Sequence, residues 1–189
     1  MDMNKEENQE LEPLRIVELI DESGTTMPVE VVVEVEINEN LYALFTPANP
    51  LIYILCEDLK DEDAPLEQLE PTDFEGISKN IQTALFDYGL KVEIQADEFV
   101  LIGEPNESFY EQSELMEVEG DDGVQEYYVL VEVDDATARY SVVMPTEPVI
   151  YPGEILSDER ARLLTEEEML GLGSVFEEIL AEGFNDDES

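Results

Sequence analysis

Histidine and tryptophan are absent from this 189-residue chain, cysteine occurs once, and 8 lysines and arginines stand against 50 aspartates and glutamates. Without histidine the usual general base is gone, and so are Ser-His and Cys-His nucleophile systems and most zinc and iron sites. Cys56 has no second thiol and no imidazole to activate it; its setting in LIYILCED reads as a buried structural strand thiol in a reducing compartment. The longest apolar run, Leu51 to Cys56, is far too short to cross a membrane. Met1 to Pro13 has neither a basic start nor an apolar stretch, so no signal or transit peptide is expected. No phosphate loop, dinucleotide fingerprint or G-x-S-x-G occurs; GLGS at Gly171 to Ser174 lies within a helical pattern.

What remains is acid and a hydrophobic core. The 43% hydrophobic content suffices to bury one, while the formal charge of −42 leaves few cations to meet phosphates. Direct binding to nucleic acid or an anionic membrane is therefore disfavoured. Two carboxylates at i and i+2 on a strand stand about 7 Å apart and repel by roughly 0.6 kcal/mol in water before screening. Added salt, with a Debye length of about 8 Å at physiological strength, is expected to raise the melting temperature.

The chain also repeats itself. Val33 to Tyr53 reads VEVEINENLYALFTPANPLIY and Val131 to Tyr151 reads VEVDDATARYSVVMPTEPVIY; Tyr140 − Tyr42, Pro145 − Pro47, Pro148 − Pro50 and Tyr151 − Tyr53 all equal 98. Acid-rich composition alone does not align tyrosines and prolines, so this is an internal repeat. In the first copy Val29, Val31, Val33, Val35 and Ile37 alternate with Glu30, Glu34, Glu36 and Asn38; the second copy sets Tyr127, Val129, Val131 and Val133 against Glu126, Glu132 and Asp134. That alternation predicts half-buried strands. Turns at Asn38–Asn40 and Ala136–Ala138, strands at Tyr42–Thr46 and Tyr140–Met144, proline-bounded loops, and third strands at Leu51–Cys56 and Val149–Ile155 follow. Earlier strands are expected at Ile16–Ile20 and Leu115–Val118, with turns at Gly24 and Gly123.

Each copy ends in a helix. Thr72/Glu75 and Thr165/Glu168 fit capping boxes, and Gly89 and Gly183 fit C′ positions. Phe74, Ile77, Ile81, Leu85 and Tyr88 line one helical face; Met169, Leu172, Phe176 and Ile179/Leu180 line the other helix. The fold class expected is α+β: two tandem antiparallel β-meander-plus-helix modules offset by about 98 residues. The divisions expected are a flexible acidic tail at 1–13, a first module at 14–103 ending in the hairpin LKVEIQADEFVLIGE with its turn at Ala96–Glu98, a connector at 104–112, a second module at 113–184 and a tail at 185–189.

The acidic turn, VEVVVEVEINENLYALFTP, an IYIL-type strand, an acidic loop and a terminal helix resemble a family of small acidic bacterial proteins known as a domain of unknown function. The two-part layout, over Leu14 to Phe184, is similar to a related family from oxygenic photosynthetic bacteria and plastids. The resemblance implies a cytosolic or stroma-like setting and a link to RNA processing, since related genes lie beside a ribosomal RNA nuclease; it carries no residue with an assigned role.

Paired-acid hydrolysis needs one carboxyl held neutral in an apolar pocket, which acids on polar strand faces do not provide. Asp61-Glu62-Asp63, Asp121-Asp122 and Asp134-Asp135 lack the calcium-loop pattern and are expected to bind divalent ions weakly and without specificity. No cofactor, metal site or catalytic residue is expected. The candidate partner-binding residues are Tyr42, Tyr53, Tyr140 and Tyr151, with Glu34, Glu36, Glu132 and Asp134: an aromatic and proline rim ringed by acids that select a basic protein segment. A structural alternative gives those tyrosines and prolines the work of covering and blocking a sheet edge. The expected function is thus a non-enzymatic, cytoplasmic interaction protein docking basic surfaces of an assembly or RNA-processing factor. The alternatives are a nucleic-acid mimic, a carboxylate and divalent-metal enzyme, and acidity serving solubility or salt adaptation alone.

Overall fold

A computed structural model describes residues 14–61, 63–105, 107–120 and 123–183. In chain order they form β1 (Ile16–Ile20), β2 (Thr26–Ile37), β3 (Asn40–Pro47), β4 (Tyr53–Asp58), β5 (Glu67–Gln68), α1 (Glu75–Phe86), β6 (Lys91–Gln95), β7 (Glu98–Ile102), α2 (Glu107–Gln112), β8 (Glu114–Gly120), β9 (Gly123–Asp134), β10 (Ala138–Pro145), β11 (Tyr151–Ser157), β12 (Arg160–Leu163) and α3 (Glu166–Gly183). Strands and helices are both present, as an α+β chain requires, with the sheet content dominant.

The strands do not sort into two tandem bodies. β1, β2 and β3 pair with β11 and β12 in a closed barrel, while β8, β9 and β10 pair with β4 and β5 in a five-stranded sheet. Each half keeps its first three strands and sends its fourth and fifth to the other half's sheet. The expectation of self-contained modules at 14–103 and 113–184 is corrected on this point: β4 lies against β10, with Tyr140 opposite Cys56, and β11 lies against β3, with Tyr151 opposite Phe45. The physical reason sits in the loops. Pro47 and Pro145 end β3 and β10, and Pro50 and Pro148 follow three residues on; proline cannot donate to a ladder and biases its predecessor to extended backbone. A chain so stiffened crosses to the neighbouring sheet instead of turning back.

The barrel closes through a parallel pair, β1 with β12, Glu18 opposite Arg160 and Ile20 opposite Arg162. Val17, Leu19, Met27, Val29, Ala43, Phe45 and Ala161 fill it. Gly153 of β11 permits the closure: a Cβ there would stand 2.4 Å from the Arg162 carbonyl oxygen and 2.8 Å from the Phe45 ring. The other sheet is open, and α1 and the β6–β7 hairpin cover its apolar face. Ile77, Ile81, Leu85, Leu90, Val92, Phe99 and Leu101 pack there on Ile54, Leu130 and Val142. Residues of both halves therefore share this core, with β7 bound to the first crossover through Ile52 N–H to Phe99 O (3.0 Å) and Leu101 N–H to Pro50 O (2.9 Å).

Bulges bend the long strands at matching places, opposite the Leu44/Phe45 step in β2 and the Val142/Val143 step in β9, so Val32 and Leu130 are each left without a partner. The bulge changes the facing of β9: Leu130, outside the expected apolar alternation, is buried in the core. Two-residue turns with positive φ close β2–β3 at Asn38 and Glu39 and β6–β7 at Ala96 and Asp97, matching the twist of the ribbons.

Of the two expected capping boxes, only that of α3 forms. Thr165 and Glu168 cap α3 reciprocally, with Glu168 N–H donating to Thr165 Oγ1 (3.3 Å) and Thr165 N–H to Glu168 Oε2 (2.9 Å). Thr72 caps nothing: Pro71 starts a 3-10 turn at Pro71–Asp73, α1 runs on from Phe74, and no side chain caps it. Gly89, with φ of 71°, ends α1 as expected, its N–H donating to Phe86 O and that of Leu90 to Leu85 O. Tyr88, expected on the buried face of α1, is 55% exposed and lies against the Phe109 ring. The expected connector contains α2, held by Tyr110 against Tyr128 at 5.5 Å between ring centres. Cys56, expected to be buried, is half-buried, since β4 runs past the core into the exposed Glu57 and Asp58. The expected tails at 1–13 and 185–189 lie outside the described residues, as do Glu62, Asp121 and Asp122 of the acidic clusters.

Candidate binding groove at the strand crossovers

The two crossovers run side by side, and the four repeated prolines meet there. Pro47, Pro50, Pro145 and Pro148 line one cavity of about 260 Å³, with Met144 and Leu51 in its wall. A second cavity of about 510 Å³ continues from it past Pro145 and Pro148 to Tyr53, Tyr127 and Val124. Tyr53 meets Tyr127 edge to face, at 5.9 Å between ring centres and 87° between planes. The charged residues lining this larger cavity are Glu117, Glu126 and Glu147, with no cation among its lining residues. Thr146 holds the second crossover to β9 through its N–H (3.1 Å) and its hydroxyl (3.2 Å), both donating to Glu126 O.

Beneath the groove, Tyr53 and Tyr151 share the field of Glu98. Partial burial raises the Glu98 carboxyl above its ordinary range, and Glu70 and Asp97 push it further. Burial, then the Glu98 charge, also raises both phenols. The strand exchange is what brings these two equivalent tyrosines into one electrostatic cluster.

The other candidates separate. Tyr42 sits on β3 between Val35 and Glu154, and Tyr140 on β10 between Val133 and Cys56, in different sheets. Glu34 is paired with Arg15, and Arg139 grips Asp134 through Nε (2.8 Å) and NH2 (3.2 Å), holding its carboxyl below the usual range. Glu36 and Glu132 are exposed, the latter accepting from Ser141 Oγ at 3.4 Å. Sequence reasoning missed Glu98, Glu117 and Glu147, which gave no signal among so many acids. Tyr127 and Glu126 were legible as strand residues but not as groove residues.

Among the described residues no aspartate or glutamate is buried, and no group of three or more acids or cysteine is placed to hold a metal ion. Several acids work locally instead: Asp21 accepts from the Ser23 hydroxyl and from the N–H groups of Ser23 and Thr25, and Asp135 from the N–H groups of Thr137 and Ala138, which lowers both carboxyls. No described helix is long and apolar enough to cross a membrane.

No curated protein and no solved structure matches the chain. Residues 95–183, from the β6–β7 turn through α3, match the family described as a protein of unknown function, DUF3727.

Proposed function

We propose that this is a non-enzymatic docking protein that receives a basic, extended segment of a protein partner in the crossover groove. One observation carries the reading: the four repeated prolines converge, with Tyr53 and Tyr127 beside them, on an open groove whose charged lining is acidic throughout. Prolines and tyrosines present rigid apolar surface with little rotamer freedom to lose, and Glu117, Glu126 and Glu147 select cations at its wall. Aromatic-lined grooves take extended segments whose preformed backbone has little conformational entropy to lose. The cytoplasmic setting and an assembly or RNA-processing partner belong to this proposal too.

A synthetic peptide of four arginines flanked by glycine and serine, titrated calorimetrically, tests it. Binding is expected to weaken steadily from low to moderate salt, and to fall about tenfold, or 1.4 kcal/mol, in a Glu126→Gln/Glu147→Gln variant that melts normally. Affinity indifferent to both salt and these substitutions overturns it.

A further inference from the structure

The barrel contains its own demonstration of what one strand edge accepts. β1 and β8 hold the same place in their sheets, each at the outer side of a long second strand. Glu18 lies opposite Pro28, Glu117 lies opposite Glu126, and Glu126 − Pro28 equals 98, so Glu117 occupies the position of Glu18. In the barrel the outer edge of β1 is taken by a parallel strand of sequence Arg160-Ala-Arg-Leu163, and Glu18 N–H donates outward to Glu159 O at 2.9 Å. At the equivalent edge of the open sheet, β8 pairs with β9 alone among the described strands.

Charge explains why this sheet's own last strand does not close it. Cys56 lies opposite Glu67 of β5, Glu154 lies opposite Arg162 of β12, and Glu154 − Cys56 equals 98. Where β12 carries Arg162, bound to Glu154 of the neighbouring β11, and sets Arg160 opposite Glu18 of β1, β5 carries Glu67 at the place of Arg162. β5 is also only two residues long, against four in β12. The edge of β8 is left exposed, with Glu114, Glu117 and Glu119 bare to solvent and Leu115 57% exposed. Its acids oppose pairing with a second copy of the same edge and attract a basic one.

We infer that the outer edge of β8 receives a partner strand of the form Arg/Lys-small-Arg/Lys-apolar, added parallel to β8 as β12 is to β1. This deepens the docking proposal and rests on it: Glu117 belongs both to this edge and to the groove wall, so an extended basic segment leaving the groove meets the edge directly. Along a strand the backbone N–H groups alternate sides, so those of Leu115, Glu117 and Glu119 face outward when that of Glu117 does. These are the donors an added strand would engage.

The test uses the full chain and the peptide Lys-Lys-Arg-Ala-Arg-Leu-Leu. Amide hydrogen exchange is expected to slow at Leu115, Glu117 and Glu119 on peptide addition, while Met116 and Val118, turned toward β9, change little. Glu117→Gln keeps the N–H and should lose only a fewfold in affinity; Glu117→Pro removes it at an edge position that tolerates proline, and should lose at least tenfold. Equal binding by the two variants, with Glu126→Gln/Glu147→Gln still weakening it, overturns strand addition and leaves groove docking standing. Slowed exchange at β1 instead of β8, meaning that the peptide has displaced β12, also overturns it. The exchange pattern of the unsubstituted protein decides the matter even if Glu117→Pro does not fold.

Discussion

Gly153 is a residue whose importance comes from what is absent, a Cβ that would enter the space of the Arg162 carbonyl and the Phe45 ring. Gly153→Ala should cost about 1–3 kcal/mol through overpacking, read as a lower midpoint in urea with an unchanged slope. Glu98 presents the opposite case, a group whose removal helps. Its folded carboxyl titrates above the unfolded value, so the fold is progressively destabilised as pH rises through the unfolded value near 4.3 toward the raised one. Glu98→Gln should therefore raise the melting temperature at pH 7 and give no advantage below about pH 4. A neutral-pH melt lower than that of the parent would contradict the assigned burial of this acid. Neither residue was legible in the sequence as special: Gly153 stood inside the expected strand Val149–Ile155, and Glu98 was one acid among fifty.

At the scale of the element, α3 is anchored by one reciprocal cap and one cation. Arg162 of β12 reaches Glu168 through NH1 (2.9 Å) and NH2 (2.7 Å) and binds Glu154 as well. The guanidinium and the Thr165 N–H together hold the Glu168 carboxyl down to about 2. Stability from this contact is present above the unfolded carboxylate value near 4.3 and is lost as pH falls toward about 2. Glu168→Gln should flatten the acid limb of a pH–melting curve within that window. Thr165→Ala should cost about 1 kcal/mol at any pH above it, read from chemical denaturation. This end of the molecule was legible, because T-x-x-E is a local signal that needs no tertiary partner. The matching signal at Thr72 misled, since Pro71 starts the helical backbone one residue before it. Strand positions were also readable from alternation, but the bulge that turns Leu130 inward leaves no mark on a valine-rich strand.

The whole molecule is where local reading fails by its nature. A periodicity of two predicts which faces are buried, not which strand lies next door, and the repeat argued for two tandem modules, each with its own sheet. The prolines were noticed as edge blockers, whereas they act as the stiff crossings of an exchange. The exchange predicts that fragments 1–103 and 104–189 do not fold apart. Each should show no cooperative melt alone, and the two mixed from denaturant should reassemble as a complex of native spectrum. A cooperative transition in either fragment by itself would mean that its sheet can close without the borrowed strands. The candidate groove shares this origin: residues 98 apart in sequence converge on it only because the strands cross.

The crossing also sets an order of events during synthesis. Tyr151 opens the strand that flanks β3, and it lies 104 residues after Pro47, which ends β3. At a ribosome's pace of roughly 5–20 residues per second, the first three strands wait on the order of 5–20 s with an apolar flank uncovered. Through that interval mutual repulsion of its acids opposes association of the nascent half with other chains, so the carboxylates have a task before the barrel closes.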